Sequence, residues 1–305
     1  MPCSNPTVRA HAAPLAGLTA PAKPAGPVTR VVSRQFRYGS TRVQLDYRFD
    51  ASGRLVTVTF SPAGEGSLSA NAVRRLLIDV QRTVAAIPIP AGASTVTGTN
   101  SGSIRVLTSA MSPDVAPPLF EVGFRVRSKL SLLTKELPRS PFRILRVRSV
   151  RLSQAPRLPP SGSTIRRGTD HDLQAAVEVD RNSFGESWAM DLHDLTLALT
   201  ATPSAQLLVA QRGGEPVGFA IIGCSGRRGY LQRLAVHSDA QRLGVGTALV
   251  DATTEWSARR DVRRLVVNTQ TTNARALRLY RRTGFVESPL GLMLLEHDLP
   301  QEPNP

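Results

Sequence analysis

Gln241-Arg-Leu-Gly-Val-Gly246 follows an apolar stretch over residues 230–236 and a short polar link over 237–240. At the mouth of a helix this pattern suits an anion. The first four N–H groups of a helix lack partners, and that end carries roughly half a positive charge. Glycines at Gly244 and Gly246 remove the Cβ atoms that would hold a ligand off those N–H groups. A diphosphate is the natural occupant. The spacing is neither the Gly-x-Gly-x-x-Gly of dinucleotide folds nor a P-loop, because no Gly-Lys-Ser/Thr follows. A second set of residues begins at Asn273-Ala-Arg-Ala-Leu-Arg-Leu-Tyr280 and ends at Gly284-Phe285. Asn273 suits a helix N-cap, Ala276, Leu277 and Tyr280 share one helical face, and Gly284 stands where a helix stops. Tyr280 is a core aromatic on that pattern, or a proton donor if a reacting atom lies beside it.

The elements around these residues alternate between strand and helix. A strand at 164–170 precedes an amphipathic helix through Leu173, Val177 and Phe184, then a helix at 191–199. Strands at 206–210 and 217–222 are joined by the turn residues Gly213-Gly-Glu-Pro216, and a β-branched strand at 265–267 precedes the Asn273 helix. Earlier in the chain a hairpin strand at 41–49, a strand at 54–60 and an amphipathic helix at 69–81 repeat the alternation. The fold class is α/β, an α+β mixed sheet.

Strand, Gln-x-x-Gly-x-Gly helix, strand, Asn-x-x-Ala-Leu-x-x-Tyr helix and Gly-Phe, in this order, resemble the GNAT superfamily of acetyl-CoA-dependent N-acetyltransferases over residues 164–300. The resemblance implies acetyl-CoA as cosubstrate, no metal, and a motif strand that opens so that its main chain pairs with pantetheine at Leu234, Ala235 and Val236. It places the diphosphate on Arg242, Leu243, Gly244, Val245, Gly246 and Thr247, with Gln241 at the loop entrance. Asn273 is similar to the pantetheine-contacting asparagine, and Tyr280 to the tyrosine that protonates the leaving thiolate. Phe184-Gly-Glu-Ser-Trp188 looks like the ribosomal-protein-alanine N-acetyltransferase branch, which carries a glutamate base where this chain has Asn268. Asparagine cannot take a proton. Either Glu186, His193, His237 or a water chain serves, or the branch is a different one. The implied reaction is direct attack of a primary amine on the thioester in a ternary complex. The amine belongs to a peptide N-terminus, a lysine or a small metabolite. The alternatives are a mycothiol-synthase-like small-molecule acetyltransferase and a non-catalytic acyl-CoA-sensing protein.

Composition divides the chain. Its 305 residues carry 38 Lys plus Arg against 23 Asp plus Glu, a net charge of +15. Residues 162–305 hold 16 arginines and 16 acids, so the whole excess lies in the first 161. A basic half of that kind can rest on RNA, an anionic membrane or an acidic protein, although it lacks the clustered cations and stacking aromatics of a nucleic-acid module. Residues 1–28 read as an Ala/Pro-rich disordered lead without the apolar core of a signal peptide. No apolar run approaches the roughly 20 residues of a membrane span. Two cysteines, Cys3 and Cys224, imply no disulfide framework, and a reduced cytoplasm is expected.

The halves also resemble each other. Gly123-Phe-Arg-Val-Arg matches Gly284-Phe-Val-Glu-Ser, and Arg105-Val-Leu-Thr108 falls at the same offset from Val266-Val-Asn-Thr269. Ser112 then stands in the place of Asn273, and Leu119 or Phe120 in the place of Tyr280. Ser61-Pro-Ala-Gly-Glu-Gly66 replaces the glycine loop, with a glutamate that repels phosphate. The expected organisation is a degenerate GNAT-like domain over 29–140, a linker over 141–162 and a catalytic domain over 163–300. Tandem GNAT proteins such as mycothiol synthase have this kind of asymmetry.

Overall fold

The computed structural model describes residues 28–50, 55–63, 68–86, 103–138, 162–184 and 188–300. The first half runs β1 (Val28–Tyr38), β2 (Thr41–Asp50), β3 (Leu55–Ala63), α1 (Ala70–Ala85), β4 (Ser103–Thr108), α2 (Pro117–Phe120) and β5 (Arg125–Glu136). Alternation along β2 sends Val43, Leu45, Tyr47 and Phe49 to one face, where Val73, Leu76, Leu77 and Val80 of α1 cover them. Ser69 caps α1, its Oγ accepting from the Ala72 N–H at 3.2 Å. The edge strand β1 is not announced by the sequence pattern. Residues 64–67, which include three of the six residues of the expected glycine-loop replacement, lie outside the described residues, as do Cys3 and residues 51–54.

The second half runs β6 (Thr164–Arg167), α3 (Leu173–Phe184), α4 (Leu192–Thr200), β7 (Ser204–Arg212), β8 (Glu215–Ser225), β9 (Arg228–Val236), α5 (Val245–Ala258), β10 (Arg264–Gln270), α6 (Ala274–Arg282), β11 (Val286–Glu287) and β12 (Leu292–Pro300). Helices α3 and α4 cover one face of β7–β9 through Val177, Leu195, Phe219 and Ile221. Helices α5 and α6 cover the other through Leu249, Val250, Leu277 and Tyr280.

All strands join one sheet in the order β1-β2-β3-β4-β12-β5-β10-β9-β8-β7-β6, with β11 beside β5. The order is nearly a palindrome. β3 pairs with β4 in parallel, as β9 does with β10. Between these pairs the closing strands of the two halves have changed places. β5 lies between β10 and β12, and β12 lies between β4 and β5. Charge pairs cross this seam: Glu296 and Asp298 of β12 meet Arg105 of β4 and Arg125 and Arg127 of β5, with Arg127 Nη1 to Glu296 Oε2 at 2.7 Å. A buried ion pair joins the halves again, Arg48 Nη2 on β2 donating to Asp194 Oδ1 on α4 at 2.7 Å.

The repeat is visible in hydrogen bonds. Gly123 and Gly284 both take positive φ, +93° and +88°. Phe124 N–H bonds the Leu119 carbonyl at 3.0 Å, and Phe285 N–H bonds Tyr280 at 2.9 Å. Each glycine adds the inner bond of a Schellman cap, Gly123 to Phe120 and Gly284 to Arg281. Ser112 and Asn273 each cap the turn that begins these segments. The halves differ where a ligand would enter. β3 and β4 are still paired at Phe60↔Thr108, and the Ser109 N–H bonds the Phe60 carbonyl at 3.0 Å. The corresponding stretch of β10 has already left β9. Phe60, Leu119 and Phe124 fill the closed side.

Candidate active site

β9 and β10 pair only at Arg228↔Arg264, Gly229↔Leu265 and Tyr230↔Val266, then part. Opposite β8, the register slips so that Ile222 faces Leu231 and Ile221 faces Arg233, leaving Gln232 as a bulge. Beyond it, His237 N–H bonds the Val217 carbonyl of β8 at 2.9 Å. Main-chain groups alternate along a strand, so the N–H and C=O of Val236 and Leu234 face the other, open edge. A cavity of about 880 Å³ fills the gap between the strands. Its lining runs from α5 and α6 on one face of the sheet to Phe184 and Trp188 on the other, so it passes through the sheet.

At the α5 mouth, residues 241–244 form a turn and the helix proper starts at Val245, later than the motif alone suggests. The reason is conformational. Arg242 and Gly244 take φ of +63° and +86°, left-handed conformations of the kind from which a nest of main-chain N–H groups is built. A Cβ on Gly244 would meet nothing within 4 Å, so the need for glycine there is its φ. At Gly246 the need is space, since a Cβ would lie 3.2 Å from Leu279 Cδ2. Gln241 ties the loop down. Its Nε2 donates to the Val236 carbonyl at 3.0 Å, and its Oε1 accepts from Arg275 Nη1 at 2.6 Å.

Leu234, Val236, Gln241, Arg242, Gly244, Gly246, Thr247, Asn273 and Tyr280 all line the cavity. Ala235 packs with the α3 core, Val245 is buried at the first turn of α5, and Leu243 is an exposed side chain on the loop. Asn273 spends its Oδ1 on the Ala276 N–H at 3.1 Å, which holds α6 at the cavity wall. Tyr280 is 5 % exposed and packs its ring 5.6 Å from Phe285. Burial pushes its phenol well above the ordinary tyrosine value, and the nearby positive charge of Arg233 opposes this only in part. The hydroxyl therefore keeps its proton at neutral pH.

Several lining residues have no counterpart among those picked out by motif. Ser183, at the end of α3, donates its Oγ–H to the Val236 carbonyl at 2.7 Å and accepts the Val236 N–H at 3.2 Å. Arg233 is held by Asp180 through Nε at 2.7 Å and Nη2 at 2.6 Å, and also donates to the Trp188 carbonyl at 2.8 Å. Asp180, wholly buried, accepts from the Met190 N–H as well. This clamp fixes the α3–α4 connection against the bulge. Polar residues inside the otherwise apolar stretch 230–236 were the available signal for Gln232 and Arg233. Leu130, brought in by β5, had none.

Among the base candidates, Asn268 lines the cavity on β10. His193 is exposed on α4, and His237 caps a short turn by accepting the Asp239 N–H; neither lines the cavity. Glu186 lies outside the described residues. The described residues contain no group of three or more His, Cys, Asp or Glu side chains able to hold a metal ion.

Residues 173–285 match the model of the acetyltransferase (GNAT) family. This region is a GNAT domain. Similar curated proteins include an aminoglycoside N(6')-acetyltransferase type 1 of Klebsiella aerogenes, 33% identical over 95 residues, covering 28% of this chain and 62% of that one. Human N-alpha-acetyltransferase 30 is 43% identical over 60 residues, 20% of this chain and 17% of its own. A mycothiol acetyltransferase of Acidimicrobium ferrooxidans is 28% identical over 190 residues, 57% of this chain and 56% of its own. The chain thus spans less than two thirds of each of these relatives. Among solved structures, a tandem GNAT protein from the clavulanic acid biosynthesis pathway superposes with a TM-score of 0.58 at 15% identity, over 92% of this chain and 86% of that one. The first half and the GNAT domain together therefore have the fold of a tandem GNAT protein. No helix among the described residues is long and apolar enough to cross a membrane.

Proposed function

We infer that the protein is an N-acetyltransferase that moves the acetyl group of acetyl-CoA to a primary amine within the cavity between β9 and β10. The observation that carries this is the parting of those strands after three pairs, with a left-handed turn at the α5 helix start at one mouth and a buried tyrosine inside. Acetyl-CoA fits the residues present. The N–H groups of residues 242–247 suit its diphosphate, and the open edge of Leu234 suits a pantetheine amide. Arg242, Arg275, Arg278 and Arg282 give that mouth the charge a polyanion needs.

Holding both reactants in one cavity supplies much of the acceleration. The neutral amine attacks the thioester carbonyl and forms the C–N bond. The tetrahedral intermediate collapses by breaking the C–S bond. Tyr280 gives its hydroxyl proton to the departing thiolate, the new ammonium releases a proton to water at the open mouth, and the phenolate is reprotonated from solvent. The relatives' names cover an aminoglycoside and mycothiol, which supports an amine acceptor without fixing it. The test is thiol release from acetyl-CoA with a panel of amines, beside calorimetric binding of acetyl-CoA. Binding with transfer to some amine is expected; binding with transfer to none would leave a sensor.

A further inference from the structure

The cavity has two mouths of different chemistry. The nest and arginines take the α5–α6 side, and a thioester anchored there reaches inward to Tyr280. An acceptor must then arrive from the α3–α4 side. Phe184, Trp188 and Leu130 line that end. Trp188 packs with Leu130, Leu292, Leu294 and Ala110, a cluster to which both halves of the chain contribute. The charged residue there is already neutralised. Arg233 is engaged by fully buried Asp180, and its guanidinium lies 3.6 Å from the Phe184 ring, which leaves an aromatic and aliphatic surface.

We propose that this end is the acceptor subsite, that it takes a primary amine carrying an apolar substituent beside the amine, and that Leu130 sets the size of that substituent. It rests on the transferase reading and names the acceptor class within it. Leu130 cannot withdraw to admit a larger group. Its main chain is paired with Gln270 on one side and Leu292 on the other, and the position of a Cβ on Gly291 lies 2.6 Å from its carbonyl oxygen. The size limit is thus supplied by a strand of the half that has lost its own slot.

The full chain is assayed for thiol release from acetyl-CoA with glycinamide, leucinamide, phenylalaninamide and kanamycin. Leucinamide is expected to exceed glycinamide at least about tenfold in kcat/KM, since each methylene in a fitted apolar pocket is worth roughly that or more. Leu130→Ala is expected to raise the phenylalaninamide-to-leucinamide ratio at least about tenfold. A ratio taken within one preparation cancels any loss of folded enzyme. Equal use of glycinamide and leucinamide, kanamycin as the best acceptor, or a ratio that moves less than about twofold in Leu130→Ala overturns the subsite while the transferase reading stands. Acetyl-CoA binding without transfer to any of the four overturns both.

Discussion

Ser183 makes the sharpest quantitative claim about how the slot is used. Its hydroxyl holds both main-chain groups of Val236, at 2.7 and 3.2 Å, on the edge where pantetheine is proposed to pair. If the cosubstrate extends along β9 as far as Val236, it must break both bonds. Each neutral intramolecular hydrogen bond contributes about 0.5–1.5 kcal/mol net, so the displacement costs about 1–3 kcal/mol, or roughly 5- to 150-fold in affinity. Ser183→Ala removes that cost from the free protein and should tighten acetyl-CoA binding about fivefold or more. The lower figure is the safer one, because the Val236 carbonyl also accepts from Gln241. Titration calorimetry on wild type, Ser183→Ala and Asn182→Ala is the assay. Asn182 makes a similar bond from the same helix end, its Oδ1 accepting the Ser238 N–H at 2.7 Å, but it does not line the cavity. Its removal should not tighten binding. Equal or weaker affinity in Ser183→Ala refutes the displacement, and pairing would then be confined to Leu234.

Four further outcomes are expected. Tyr280→Phe should lower kcat at least about 100-fold while leaving the acetyl-CoA dissociation constant within about twofold. Because its pKa is raised, Tyr280 favours the fold below about pH 10 and loses that contribution only as pH climbs through the raised value; an alkaline limb in the rate below pH 10 that vanishes in Tyr280→Phe contradicts the raised pKa, and a Tyr280→Phe variant with wild-type kcat contradicts the proton-donor role. At Gly244, Ala should cost about 1–2 kcal/mol of strain at positive φ, Asn should be better tolerated, and Glu should abolish acetyl-CoA binding, all read by melting and calorimetry. Arg48→Met should destabilise by about 3–5 kcal/mol in denaturant titration, with Arg48→Met/Asp194→Leu recovering most of it; a single variant within about 1 kcal/mol of wild type contradicts a buried pair. Gln232 buries both amide atoms without a partner, so Gln232→Leu should raise stability by about 1 kcal/mol, and a loss would reveal an unseen use for the amide.

What was legible in the sequence was local. The Gly244 and Gly284 turns, the Asn273 cap and the apolar face of α6 follow from backbone conformation and helical spacing, which neighbouring residues carry themselves. The repeat was legible for the same reason, since the Gly123 and Gly284 caps are identical in their bonds. The helix start was displaced because nothing in the letters marks Arg242 as a residue with positive φ. Ser183 and the Asp180–Arg233 clamp depend on α3 crossing the end of β9, a contact between residues about fifty positions apart. The exchange of β5 and β12 was illegible, because both strands have a pattern equally compatible with pairing inside their own half.

That exchange explains how a half without a ligand slot can persist. β10 is one wall of the cavity, and its outer edge is completed by β5 over seven residue pairs, from Arg264↔Glu136 to Gln270↔Leu130. Removing the first half would strip that edge, unpair β12 from β4, and leave Glu296 and Asp298 without their arginine partners on β4 and β5. Loss of phosphate-binding residues in the first half costs only a ligand, whereas loss of its sheet would cost the second half its wall. The two kinds of change are therefore decoupled. Ser112 and Leu119, which stand at the positions of Asn273 and Tyr280, leave the pairing of β4 and β5 with β12 intact. A stable catalytic unit cut at residue 162 is accordingly not expected: expressed alone, residues 163–300 should fail to give a cooperative thermal transition, and a folded, acetyl-CoA-binding fragment would show that β12 can fold back into the place of β5.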